Sequence, residues 1–434
     1  MGERVVEERR TVAPAVSAAR AATVGRSRRF MRLGWGVADQ ALSSLANLGL
    51  GAMVARAVSP DDFGAFGLAF STYLITLGVC RALVSEPLVV RFSAVRQEEW
   101  RTASRAATGT ALLVGVAVGA GCASAGLLIG GLFGRVLVTL APMLPALLVQ
   151  DTWRYAFFAE ARGGRAFAND LAWSATLLPA LALLDRGGVH SASAFVLVWG
   201  LSGVFAAAVG SAQAGSVPDP RAAPAWLRRH ADLSVPYLGE FAALGAGELA
   251  LFGIAGFVGL VSVGALRAGQ ILLGPLRVLT LGVRLVAVPE GVRGLRAGSA
   301  RTERAAVILS VAVTTVALAW GAVLLLLPVS VGTALLGQSW TEARSVIVPL
   351  TLAMAGTGAT TGAFVGLRAL GAARRSLRVR VAIAPLMVVA SIAGAVVSGA
   401  PGAAWGIAAV VWLSVGLWWR QFGVALRDRF PGSS

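Results

Sequence analysis

This chain of 434 residues has no lysine, two cysteines, two histidines and three tyrosines, and only 14% of it is charged. Each shortage excludes something. Cys80 and Cys122 stand far apart in apolar sequence, so neither a disulfide framework nor a metal site is indicated, and no cofactor is called for. His190 and His230 fall in short connections without an acid, base or nucleophile nearby. They read as solvated loop residues, and a glycosyl or acyl transferase finds no catalytic constellation here. Residues 1–30 carry charges and small side chains but lack the apolar core of a secretory signal.

What the chain has is apolar length. Its apolar fraction is 56% and its mean hydropathy +0.75, with stretches of about 20 residues following one another end to end. No soluble domain fits between them. Twelve spans are expected, near residues 34–56, 63–90, 106–130, 136–159, 168–185, 191–214, 235–258, 262–289, 305–328, 342–368, 379–398 and 403–423. The fold class is therefore all-α and integral to the membrane.

All 38 basic residues are arginine, and their distribution orients the spans. Twenty-nine fall in the N-terminal tail, the even-numbered connections and the C-terminal tail, against four, Arg56, Arg135, Arg186 and Arg344, in the opposite loops. This bias places both termini in the cytoplasm. The net charge of +17 is then a signal of topology and of contact with anionic lipid headgroups, and nucleic acid is not an expected partner.

The sequence also reads as a duplication. Phe63-Gly64-Ala65-Phe66-Gly67 opens the second span as Val263-Gly264-Ala265-Leu266-Arg267 opens the eighth, an offset of 200. Ala161-Arg162-Gly163-Gly164-Arg165 leaves the fourth span much as Ala369-Leu370-Gly371-Ala372-Ala373-Arg374 leaves the tenth, with 163 and 371 offset by 208. Six spans per repeat give two lobes facing the same way about a central cleft. The expected divisions are a basic cytoplasmic tail at 1–32, a first lobe at 33–214, a linker at 215–234, a second lobe at 235–425 and a short tail at 426–434.

Five arginines lie inside the spans: Arg81, Arg154, Arg267, Arg277 and Arg284. Between Val261 and Glu290, at about 100° per residue, Arg267, Gln270, Arg277 and Arg284 share one helix face, with Gly274 between them. An arginine at membrane depth costs several kcal/mol unless it faces a partner, a polar ligand or water. This face is read as the lining of a cationic cavity with an anionic cargo. Arg81, roughly 13 Å from the inner end of the second span, is too deep to snorkel easily and is read as another cavity residue. Asp39, Gln40, Ser43, Ser44 and Asn47 form an arc of about 140° on the first span, fit either to bind helices together or to line the cavity. Glu240 and Glu248 on the seventh span suit an ion pair with Arg267 or Arg277, or a coupling proton. Asp151 and Arg154, three residues apart, suit local pairing.

Four segments in register resemble a known family. Arg56-Ala57-Val58-Ser59-Pro60-Asp61-Asp62-Phe63-Gly64-Ala65-Phe66 resembles the junction after the first span of bacterial polysaccharide exporters. Val263-Gly264-Ala265-Leu266-Arg267-Ala268, Leu335-Leu336-Gly337-Gln338-Ser339-Trp340 and Leu367-Arg368-Ala369-Leu370-Gly371 are similar to further motifs of that family, the O-antigen flippase-like branch of the multidrug/oligosaccharidyl-lipid/polysaccharide (MOP) superfamily, with Leu266 where a tyrosine is usual and Glu248 where many relatives carry Asp. The resemblance implies a MATE-like arrangement around a central cavity. It implies a flippase, not an enzyme, in the bacterial inner membrane. Its expected cargo is a polyprenyl-pyrophosphate-linked oligosaccharide, with H+ or Na+ as coupling ion and a polysaccharide polymerase or glycosyltransferases as partners. Arg81, Arg267, Gln270, Arg277, Arg284, Gln40 and Asn47 are the expected substrate-binding residues, and Asp39, Glu240 and Glu248 the coupling candidates. A cation-coupled multidrug antiporter and a non-transporting scaffold of a polysaccharide assembly complex are the alternatives.

Overall fold

A backbone in hydrocarbon must pair its own N–H and C=O groups, and continuous apolar runs of about 20 residues do so as helices. The computed structural model describes residues 34–93, 95–295 and 298–431, except for the side chains of residues 244, 281, 284 and 285, and contains no strand among them. The tail expected at 1–32 and the side chain of Arg284 lie outside the described residues.

The N-lobe consists of α1 (34–57), α2 (Pro60–Phe92), α3 (Gln97–Ile129), α4 (Gly131–Ala159), α5 (Gly163–Arg186) and α6 (Ala192–Ala214). The C-lobe consists of α7 (Ala223–Val258), α8 in two legs (Leu260–Leu272 and Gly274–Gly294), α9 (Ser299–Leu326), α10 (Ser339–Ala369), α11 (373–397) and α12 (400–429). The last two are parted at Ser398 and Gly399, whose dihedrals leave the helix. Among the described residues, eight helical runs, or nine with the 49° bend in α7 ignored, are long and apolar enough to cross a membrane. The polar α1, the broken α8 and the division of α11 from α12 bring these to the twelve expected spans. Helices α3 and α7 begin about nine and twelve residues before the apolar stretches predict. Their first turns are polar, and hydropathy registers only the segment that meets hydrocarbon. Most of the expected linker is thus the start of α7.

Local chemistry sets the ends. Ser59 caps α2 by accepting the Asp62 N–H at 3.2 Å, with Pro60 in the first turn and Asp61 and Asp62 beside the positive end of the helix dipole. Further along, α2 widens into one π-helical stretch at Arg81–Ser85. The Leu83 carbonyl there accepts from Trp226 Nε1 at 3.2 Å and Ser234 Oγ at 3.4 Å, both on α7.

The turns of the two lobes repeat each other bond for bond. Helix α4 ends at Ala159 and α5 begins at Gly163; α10 ends at Ala369 and α11 begins at Ala373. Arg162 N donates to Phe157 O as Ala372 N donates to Leu367 O, and Ala161 at φ 60° matches Gly371 at φ 71°. The offset here is 210, two more than the sequence comparison of Gly163 with Gly371 suggests, because the left-handed turn position is held by alanine in one repeat and glycine in the other.

At one end of the bundle the lobes meet through the segments around Gly64 and Gly264. A Cβ on Gly64 would lie 2.0 Å from the Leu260 carbonyl oxygen, and one on Gly264 would lie 2.9 Å from that of Pro60. Gly337 packs on the backbone of Arg56, and Ser339 Oγ donates to Ala55 O at 3.4 Å. Only glycine lets two backbones approach this closely. That end of the lobe interface is therefore sealed by main chain against main chain.

Candidate functional site: a cationic cavity between the lobes

A cavity of about 610 Å³ lies between α1 and α2 of the N-lobe and α8 of the C-lobe. Its polar lining includes Ser44, Asn47, Arg267, Gln270 and Arg277, and its apolar lining includes Phe66, Phe70 and Ile271. The helix period had placed Arg267, Gln270 and Arg277 on one face. They reach the same cavity although α8 breaks at Leu273, where the chain shifts from the first leg into Gly274-Pro275.

The two arginines differ in what surrounds them. Arg267 is buried and its guanidinium is surrounded by acceptors: it pairs with Glu248 on α7 and Ser71 on α2, and Nη1 donates to Gln270 Oε1 at 2.9 Å. Ser71 Oγ in turn donates to Glu248 Oε2 at 3.0 Å. The Cζ of Arg267 sits 5.6 Å from the Phe70 ring centroid, and its stem packs on Gly67, where a Cβ would come within 2.8 Å of Cγ. Arg277, by contrast, is exposed to the cavity and makes no ion pair or hydrogen bond with a described residue. One guanidinium is neutralised in place, and the other is left to whatever fills the cavity.

Other expected site residues are elsewhere. Arg81 is not a cavity residue: it holds Asp151 in a two-point ion pair, Nε to Oδ2 at 2.9 Å and Nη2 to Oδ1 at 2.6 Å, with its Cζ 5.2 Å from the Tyr155 ring centroid. The local Asp151–Arg154 pair is consequently not formed. Arg154 instead reaches between helices to Asp39 on α1 at 2.6 Å and Asp170 on α5 at 3.4 Å. Gln40 belongs to this interior group as well, accepting from Arg154 Nη2 at 3.4 Å and donating to Ser44 Oγ at 3.3 Å, so it is not among the cavity lining. Glu240 does not meet Arg267 or Arg277. It lies 3.4 Å from Arg368, near the end of α10 opposite Ser339. His230 is no loop residue; it is buried in α7, its ring centroid 4.1 Å from that of Trp226.

Sequence reasoning missed Asp170, which completes the N-lobe group with Gln150 and Asn169: Gln150 Nε2 donates to Asp170 Oδ1 at 2.9 Å and to Asn169 Oδ1 at 3.1 Å. The adjacent Asn169 and Asp170 within an expected span were the available signal. Three carboxylates, Asp39, Asp151 and Asp170, thus share the N-lobe interior with two guanidiniums, Arg81 and Arg154, and Asp39 Oδ1 is buried without a hydrogen-bond partner among the described residues.

Among the described residues, twelve long helices in two matching lobes surround this cavity. No family profile matches the chain and no curated protein resembles it in sequence. Among solved structures, it is similar to the inward-facing conformation of a multidrug resistance MATE family transporter of the MOP superfamily, with a TM-score of 0.71 at 15% identity over 90% of this chain and 96% of that one. It is similar also to the lipid II flippase MurJ in an inward closed conformation, with a TM-score of 0.68 at 12% identity over 92% of this chain and 87% of that one. Against the outward-facing conformation of a MATE family transporter the TM-score is 0.56, at 14% identity over 90% of this chain and 94% of that one. The fold thus superposes better on the inward-facing than on the outward-facing MATE structure.

Proposed function

We propose that this chain carries an anionic amphiphile, a polyprenyl-pyrophosphate-linked oligosaccharide, across the bacterial inner membrane by alternating access. The observation that carries this reading is Arg277: a guanidinium lining the cavity, with no ion pair among the described residues, next to a second arginine already neutralised by Glu248. A pyrophosphate supplies the missing charge, and an arginine fork matches its oxygens two at a time. The apolar walls at Phe66, Phe70 and Ile271 suit the start of a lipid tail. A solved structure of similar fold is described as the lipid II flippase MurJ, which supports this reading. A cationic drug meets an unneutralised arginine in the same cavity, which disfavours the antiporter reading.

Both termini belong in the cytoplasm on this reading, following the arginine bias. The N-lobe group, with one carboxylate more than guanidiniums, is the place for a coupling proton or Na+, and Asp39 is its best candidate because one of its oxygens has no hydrogen-bond partner among the described residues. Membrane lipids and the polymerase or glycosyltransferases of polysaccharide assembly are the proposed surroundings.

The test is flipping of a polyprenyl-pyrophosphate glycan in proteoliposomes. Arg277→Ala should lower the rate by roughly tenfold or more, the worth of a charge-assisted contact, while the protein still inserts and folds. Unimpaired flipping by an Arg267→Ala/Arg277→Ala double variant would remove the proposal.

A further inference from the structure

The two lobes carry different charge at matching positions, and at one of them it is reversed. With the offset of 210 fixed by the α4–α5 and α10–α11 turns, Arg154 corresponds to Phe364 and Asp170 to Arg380. The correspondence holds in space. Arg154 lies 3.4 Å from Asp170 in the N-lobe, and the Cζ of Arg380 lies 5.0 Å from the Phe364 ring centroid in the C-lobe. The offset of 200 that relates Gly64 to Gly264 sets Glu240 opposite Gln40. Where the N-lobe holds three carboxylates and two guanidiniums, this part of the C-lobe holds Arg368, Arg380 and the single carboxylate Glu240 among its described side chains.

The geometry leaves the positive charge available. Both guanidiniums lie over the Phe364 ring, Arg368 with its Cζ at 5.5 Å, and a ring occupies only the face of a guanidinium. The N–H donors along its edge remain for a planar or tetrahedral oxyanion. Arg368 has one weak partner, Glu240 at 3.4 Å, and Arg380 has no ion pair among the described residues. Both are incompletely buried, so a ligand can reach them. The depth suits a phosphate as well. Arg368 is next to the last residue of α10, and Arg380 lies roughly 10 Å along α11 from its start, near the level at which the headgroup of a membrane-embedded amphiphile meets the hydrocarbon. None of α7, α10 and α11 contributes to the lining of the central cavity.

We propose that Arg368 and Arg380, set on Phe364 at the inner end of the C-lobe, form a second oxyanion site that takes the phosphate of an amphiphile, separate from the Arg267–Arg277 cavity. Glu240 is its internal competitor, holding Arg368 while the site is empty. The inference rests on the reading of the cargo as anionic and adds a loading position to it.

The experiment uses the full chain in a neutral maltoside detergent, titrated calorimetrically with farnesyl pyrophosphate and, separately, with phosphatidylglycerol. Wild type should show two classes of farnesyl pyrophosphate site. Arg368→Ala/Arg380→Ala should weaken one class by roughly tenfold or more and spare the class that Arg277→Ala removes. Glu240→Gln should tighten that first class several-fold, a direction that a merely structural Glu240–Arg368 bridge does not produce. Two classes of unchanged affinity in the double variant overturn the site, as does failure of Glu240→Gln to tighten it if the double variant does not fold. A single class that depends on Arg277 overturns this inference and leaves the proposed function standing. Absence of any pyrophosphate binding by wild type overturns both. Saturation of the first class by phosphatidylglycerol, with farnesyl pyrophosphate displaced, keeps the site and makes membrane lipid its source.

Discussion

The pair of Glu248 and Arg267 invites a perturbation whose outcome the geometry sets. Glu248→Gln keeps the shape of the side chain and removes its charge. Arg267 is then a guanidinium only 8% exposed, left with three neutral acceptors: Ser71 Oγ, Gln270 Oε1 and the Gly67 carbonyl. Removing one partner of a buried pair typically costs about 3–5 kcal/mol, and the surviving acceptors place this case near the lower end, about 3 kcal/mol. At 1.4 kcal/mol per tenfold, that is roughly a hundredfold in the folded-to-unfolded ratio. Removing both charges, with Glu248→Gln and Arg267→Met together, should return stability to within about 1 kcal/mol of wild type because no buried charge is stranded. Unfolding titrated with dodecyl sulfate in mixed micelles, followed by circular dichroism, measures all four corners of the cycle. A coupling energy below about 0.5 kcal/mol would refute the argument, since residues not in contact are additive to that level. The same variants separate the roles of Glu248. If it carries a coupling proton, Glu248→Gln stays as stable as wild type and loses the pH response of transport.

Further outcomes follow from the packing. Asp151→Asn should strand Arg81, whose only carboxylate partner it is among the described residues, and destabilise the N-lobe by about 3 kcal/mol in the same unfolding assay; a loss under about 0.5 kcal/mol counts against the buried pair. Gly64→Val puts a side chain where the Leu260 carbonyl oxygen already stands 2.0 Å from the Cβ position, so the outer seal cannot close. A cysteine at Ser339, buried in that seal, should then react with an impermeant maleimide from outside; equal protection with and without the Gly64→Val substitution speaks against the seal. Both native cysteines are buried, which suits labelling of topology. Ser330→Cys should label from the periplasm and Ala373→Cys only after the inner membrane is permeabilised, and the reverse pattern would invert the orientation.

The sequence alone determined the helices, their order and the duplication, because apolar length and the need to satisfy every backbone group leave a chain in hydrocarbon no other fold. It also placed Arg267, Gln270 and Arg277 together, since a helix face is a local property with a fixed period. Which acid meets which base was not local. Arg154 stands three residues from Asp151, close enough for a pair, yet it joins Asp39 and Asp170 from two other helices while Asp151 goes to Arg81. Spacing along one helix shows which partners are within reach. Burial between helices decides among them, because a charge withdrawn from water is stabilised by the partner that completes its hydrogen bonds in the low-dielectric interior, whichever helix bears it. For the same reason Arg81 read as a cavity residue from its depth alone, and only the tertiary arrangement, by giving Asp151 to Arg81 and Glu248 to Arg267, left Arg277 as the guanidinium in the cavity without a partner among the described residues.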